Sequence, residues 1–461
     1  MAAMIPMTTV AAPARVRPAR AIRASTALGA GFVALALVAW AVAAVAGYRY
    51  GVYLLTAAGF GAAAIGLRSP RIGLLGVAVL CTLDPLMGWL VFTGGVLRWN
   101  TFNYLLLLVT LLWTPLLLRR RGLSLRIAQL CVLLLTLELI MSPDRARGIQ
   151  DVLGFGAVLG LSVYCVRVRF SRDDWYWAGI VCGTIAVVGG MLFLARQGSL
   201  PEINRNAWAY FPLTALFTLC VALPCSLERR RGPMIVSALA SGCVAWAFLS
   251  ASRGAMLIAL ACAAYLLVAM PGLGRRTVLV GIVAITLLGA ATQFTSLQEL
   301  ALERVRVLFD PGTRLADRTS HRSDLARGGW YIFRQAPFGV GTGGFTSAWH
   351  ELGPREGFEM ANRYRRLQAH AGWVKILAEN GVPGLLVLGG FVLSFAVTGL
   401  RSRIRSLRRL GLMTTAVLAL AFTSTEYQNK GVWLLAAITI AMMGPTSPLR
   451  PARAPSAPRT R

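Results

Sequence analysis

The sequence predicts an all-α polytopic membrane protein with about 12–14 transmembrane helices and one large extracytoplasmic loop containing short helices. Three observations predict it. Of 461 residues, 56% are hydrophobic and only 14% charged, with a mean hydropathy of +0.63; soluble domains run at about 45–50% and about 25%. Apolar runs long enough to cross a bilayer recur along the chain. A single long hydrophilic stretch, 294–381, interrupts them.

Taken in order, residues 1–24 form a basic cytoplasmic segment with Arg15, Arg17, Arg20 and Arg23. The long, alanine-rich run after it reads as a first span rather than a cleaved leader. Residues 25–293 hold eleven apolar runs, at 25–47, 50–67, 72–92, 103–118, 127–142, 151–166, 175–195, 208–226, 233–250, 255–271 and 277–293. Residues 294–381 are the loop, 382–444 hold three further runs (382–400, 411–424 and 432–443), and 445–461 is a Pro/Arg-rich cytoplasmic tail predicted to be disordered.

Orientation follows from arginine. With the N-terminus inside, the inside segments hold 27 basic residues and the short outside loops hold 8. Cytoplasmic loops carry such an excess, so the large loop faces outward, and long loops are exempt from the bias. The net charge of +29 is therefore a topology and lipid-headgroup signal, not one for nucleic acid. The eight cysteines lie in or beside apolar runs with no CxxC pair, which predicts neither a disulfide framework nor a metal knuckle.

Inside the loop, 294–309 is amphipathic and suited to a membrane surface. Leu325 to Gln335 reads as a short helix broken by Pro337. Residues 360–379 read as a longer helix stopped by Asn380-Gly381 and Pro383. On it Arg363, Arg366 and His370 sit at i, i+3 and i+7 and share one face.

All three histidines lie in this stretch. His370, beside two arginines and just before a span, is the candidate general base, since imidazole titrates near neutrality; His321 and His350 lack such surroundings. Arg253 sits in the tight turn Ser250-Ala-Ser-Arg-Gly-Ala255 and Arg205 just before another span. Both run against the positive-inside bias, and arginine grips phosphate with a bidentate fork. The run Gly339-x-Gly341-x-x-Gly344 has the spacing of a dinucleotide fingerprint but lacks the strand, the helix and the cytosolic βαβ unit. It reads as a tight turn needing positive φ or close packing, with a phosphate cradle or substrate contact as the functional alternative. No DxD and no His/Asp/Glu cluster has metal spacing, so no metal and no cofactor are expected.

Together, Ser252-Arg253-Gly254-Ala255, then Arg327…Trp330…Pro337-x-Gly-Val-Gly341-x-x-Gly-Phe345, then His370 with Leu377-Ala-Glu379-Asn-Gly381-x-Pro-Gly384, resemble the O-antigen ligase and polymerase superfamily of bacterial envelopes. The resemblance covers about residues 200–400. It implies a metal-independent, inverting glycosyltransferase of the bacterial inner membrane. The donor would be a glycan on undecaprenyl pyrophosphate, and the acceptor a glycan, lipid A core or protein on the periplasmic face. It implies His370 as catalytic residue and Arg253 and Arg205 as donor-pyrophosphate ligands; Arg366, on the His370 face, joins them. The family's His-Asn pair reads His370-Ala371 here. Ligase, repeat-unit polymerase and protein O-oligosaccharyltransferase remain open. A lipid-linked glycan flippase is the rival of another class, expected to show ionisable residues deep in many spans.

Overall fold

The computed structural model describes residues 19–66, 69–90, 122–168, 170–195, 205–250, 252–269, 281, 322–352, 369, 371–424, 430–444 and 447–449. Its helices are α1 (Ala19–Ala46), α2 (Tyr48–Ile65), α3 (Pro70–Leu90), α4 (Leu123–Glu138, extended by a 3₁₀ turn Leu139–Met141), α5 (Arg145–Val168), α6 (Arg172–Ala195) and α7 (Arg205–Ser226). They continue as α8 (Gly232–Leu249), α9 (Arg253–Ala269), α10 (Arg322–Gln335), α11 (Phe345–Leu352), α12 (Gly372–Leu400), α13 (Arg405–Ser424) and α14 (Lys430–Met443). Among the described residues there is no strand.

Among the described residues, seven helices are long and apolar enough to cross a membrane: α1, α4 with its 3₁₀ turn, α5, α6, α7, α8 and α12. α2, α9 and α14 contain shorter apolar helices. With α3 and α13, twelve of the fourteen apolar runs coincide with helices. The run at 103–118 and all but residue 281 of the run at 277–293 lie outside the described residues, as do the amphipathic stretch 294–309 and nearly all of the tail.

Local chemistry explains several helix ends. Ser171 and Asp174 form a capping box at the start of α6: Ser171 N–H donates to Asp174 Oδ2 at 2.8 Å and Asp174 N–H to Ser171 Oγ at 3.2 Å. Proline enters α8 at its start, where its missing N–H costs nothing. Small residues bring backbones together without a hydrophobic drive: Gly59 of α2 and Gly66, which caps it, face Gly76 and Gly73 of α3.

The middle of the bundle is α7. Its apolar stretch Ala209–Ser226 is entirely buried, with Phe211, Leu213, Phe217 and Leu219 against α3, α6, α8, α9 and α14. By contrast α1 and α4 turn Leu37, Val38, Leu130, Leu133 and Ile140 outward, as lipid-facing helices do.

The basic segments gather at one end. Arg71 of α3 pairs with Asp174 of α6 at 3.4 Å, Arg229 pairs with Asp173 at 2.7 Å, and Arg172 pairs with Glu228 and donates to Pro448 O at 2.9 Å. Leu123, Arg401, Leu407 and Met443 line one cavity there. The α12 terminus at Leu400, the α7–α8 turn and the starts of α4 and α6 therefore share this end. Arg205, Arg253 and Gly372, which open α7, α9 and α12, lie at the opposite end.

Candidate functional site

The polar centre at that opposite end is built around a break in α12. Gly381 takes φ 60° and ψ −151°, and Pro383 follows. Proline removes the N–H that Glu379 O would accept in a regular helix. The break also frees Ala378 O, because Val382 N–H donates instead to Pro337 O at 3.0 Å. The glycine turn supplies replacements: Val340 N–H donates to Ala378 O at 3.1 Å and Gly341 N–H to Glu379 O at 2.8 Å. Helix and turn thus exchange backbone bonds. This is how an interrupted helix in a membrane protein keeps its polar groups paired.

The exchange needs close approach. Gly339, Gly341 and Gly343 hold φ of 91°, 93° and 87°. A side chain at Gly339 would strike the Glu379 carbonyl, and one at Gly341 or Gly343 would strike the backbone at Ser142 or Gly148. The run is a packed turn wedged between α12 and the α4–α5 corner. Gly344 differs from the other three: its φ is not positive, and it is tied by its own N–H to Gly341 O at 2.9 Å.

Side chains complete the clasp. The buried Glu379 carboxylate accepts Gly343 N–H at 2.9 Å and Phe345 N–H at 3.1 Å, the latter at the N-terminus of α11. Asn380 Nδ2 donates to Glu138 Oε2 and, at 2.9 Å, to Thr342 Oγ1, which itself donates to Leu135 O at 3.0 Å. Asn380 Oδ1 is buried with no hydrogen-bond partner among the described residues. Lys375 Nζ and Asp151 Oδ2 form a buried ion pair at 2.7 Å. From the first turn of α5, Arg147 Nη1 donates to Thr346 Oγ1 at 2.6 Å. α5 therefore grips both α11 and the start of α12.

The residues singled out in the sequence divide as follows. Gly339, Gly341 and Gly344 are brought into this clasp. The amides of Gly339, Val340, Gly341, Gly343, Gly344 and Phe345 all have acceptors inside the protein, so none is offered to a phosphate as the turn is folded. Arg205 and Arg253 open α7 and α9 at the same end of the bundle, with their side chains outside the described residues. His370, Arg363 and Arg366 lie outside the described residues, one of them a single position before Ala371; His321 lies outside them too. His350 is exposed in the last turn of α11. The helix expected over 360–379 is described only from Gly372; its helical backbone is interrupted at Gly381, where the sequence puts the stop, and a second helical limb follows at once into the span, held to the first through the glycine turn.

Sequence reasoning missed Asp151 and the roles of Glu138, which it places only as a carboxylate inside an apolar run, and of Arg147, Lys375, Glu379 and Asn380. One signal was present: Lys375 is one of only two lysines in the chain, and Glu379 is four residues on, on the same helix face. Among the described residues no group of three or more His, Cys, Asp or Glu stands together as metal ligands would.

No curated protein gives a significant sequence match to the chain. Residues 235–389, about a third of the chain, match the family model described as O-antigen ligase. The match runs from α8 past the α12 break, so it contains the glycine turn, Lys375, Glu379 and Asn380, while their partners Asp151, Glu138 and Arg147 come from helices before it. Over residues 235–389 the chain is thus similar to the O-antigen ligase superfamily, and among the described residues its architecture is helical, with apolar helices long enough to cross a membrane.

Proposed function

We propose that the protein transfers a glycan from an undecaprenyl-pyrophosphate carrier to an acceptor hydroxyl on the periplasmic face of the bacterial inner membrane. The observation that carries this is the family match, whose span joins the opening of α9 at Arg253 to the broken helix that follows His370. The starts of α7, α9 and α12 share the end of the bundle opposite the arginine-rich one, which the positive-inside bias assigns to the periplasm.

In this reading His370 accepts the proton of the acceptor hydroxyl as its oxygen attacks the anomeric carbon. The bond from that carbon to the pyrophosphate oxygen breaks, and the pyrophosphate leaves with the electron pair. Attack from the opposite face inverts the anomeric centre. Arg205, Arg253 and Arg366 neutralise the charge that grows on the leaving group, the task a divalent cation performs elsewhere. The clasp around Glu379 and Lys375 fixes the start of α12, two positions after His370 in the sequence.

The test is complementation of a deletion strain. His370→Ala abolishes transfer while the protein inserts and accumulates, and His350→Ala retains most activity. Glycan missing from lipid A core in the deletion strain identifies a ligase, single repeats identify a polymerase, and unglycosylated protein identifies a protein O-oligosaccharyltransferase. Near wild-type product from His370→Ala removes the proposed base.

A further inference from the structure

Phe338 occupies the corner of a tight turn, Ala336–Gly339, closed by Gly339 N–H donating to Ala336 O at 2.8 Å. It is 77% exposed. The turn cannot simply withdraw it, since Pro337 O is tied to Val382 N–H and a side chain at Gly381 would overlap the Phe338 backbone. Phe338 therefore stands beside Val382, where the second limb of α12 begins.

From that point α12 turns one apolar stripe outward. Val382, Leu386, Leu393, Val397 and Leu400 are all exposed, and their spacing keeps them on one helix face. α12 is long and apolar enough to span, which suits this stripe to contact with lipid. We propose that Phe338 extends the stripe onto the glycine turn and inserts into the bilayer, making the turn a membrane anchor for the loop. The partner is the lipid bilayer at the boundary of its hydrocarbon, reached by continuity with the apolar outward face of a helix long enough to span.

The helix leading into the turn has the composition of that boundary. α10 buries Leu325, Gly328, Gly329 and Ile332 against α11 and α12 and leaves Trp330 half exposed between exposed Arg327 and Arg334 on the opposite face. The Trp330 ring lies 5.3 Å from Phe333. Tryptophan with flanking arginines suits the headgroup layer, where an indole and guanidinium groups meet phosphate. An anchor there would hold the clasp at the level where a lipid-borne pyrophosphate lies, but the insertion itself stands without the proposed reaction.

The experiment places a nitroxide at Phe338→Cys, Leu386→Cys and Gln335→Cys in turn, in lipid nanodiscs. The eight native cysteines are buried, so the unsubstituted chain measures background labelling. Positions 338 and 386 should collide more with oxygen than with a water-soluble nickel chelate, and exposed Gln335 should show the reverse. A nickel preference at 338 overturns the anchor. So does a label at 338 that shows no oxygen preference until lipid-linked glycan shields it, which marks a sugar contact. The unsubstituted chain gives a second measurement: a photoactivatable phospholipid should leave an adduct on the peptide bearing Phe338, and an adduct confined to the transmembrane peptides overturns the proposal.

Discussion

Lys375 Nζ lies 2.7 Å from Asp151 Oδ2, and both side chains are buried, which ties the first turns of α12 to α5. Removing one partner of such a pair strips a buried charge of its ion-pair partner, a loss of roughly 3–5 kcal/mol, whereas an apolar pair of similar volume is often neutral. Asp151→Leu and Lys375→Met should each lower the thermal midpoint of the purified protein sharply. The double variant should recover most of the loss. Equal destabilisation in all three would mean that the ion pair does not couple the helices.

Gly339 and Gly389 are both glycines of this region, yet their substitutions should differ. Gly339 has φ 91° and abuts the Glu379 carbonyl, while a side chain at Gly389 of α12 meets nothing within 4 Å. Gly339→Ala should cost about 2 kcal/mol or more, from left-handed strain and the forced separation of turn and helix. Gly389→Ala should be neutral or slightly stabilising, because alanine is the better helix former. Thermal unfolding of the two variants in one detergent checks the contrast.

How legible this was in the sequence depends on the range of each interaction. The break at Asn380-Gly381-x-Pro383 is local chemistry, and it appears where the sequence puts it. The tightness of the Gly339–Gly344 turn was legible for the same reason. What local pattern could not say is that the turn and the break repair each other, since Val340 and Ala378 are brought together only by the folded bundle. The Asp151–Lys375 pair, 224 residues apart, is beyond reach of spacing arguments altogether. Apolar runs located twelve helices, but α13 begins at Arg405, before its run at 411–424, because its basic first turns lie at the arginine-rich end.

Arg253 opens α9 at the end of the bundle shared with the α12 start. If it grips pyrophosphate through two parallel N–H bonds, a lysine cannot replace it, because an ammonium is a point charge without the fork. Arg253→Lys should lose roughly a hundredfold in transfer rate, close to Arg253→Ala, on the scale of removing one fixed donor from a developing charge. Both variants should accumulate normally. Full activity in the lysine variant would reduce Arg253 to an anchor for lipid headgroups.

The proposed leaving-group chemistry also fixes the response to chelators. A glycosyltransferase that neutralises its departing phosphate with a divalent cation needs oxygen ligands close together. The acidic residues of the loop are Glu299, Glu303, Asp310, Asp317, Asp324, Glu351, Glu356, Glu359 and Glu379. Glu379 is committed to the amides of Gly343 and Phe345, so its oxygens already serve the fold. The same stretch holds eleven arginines in sequence, and Arg205 and Arg253 open helices at the clasp end of the bundle; in the proposed reaction this positive charge takes the place of a cation beside the pyrophosphate. Transfer by purified protein from lipid-linked glycan to acceptor should therefore proceed unchanged in excess EDTA and fall as ionic strength rises, because added salt screens the arginine field. If EDTA stopped the reaction and magnesium or manganese restored it, the arginine mechanism would be wrong, and Glu351, Glu356 and Glu359 would be the first carboxylates to replace with glutamine.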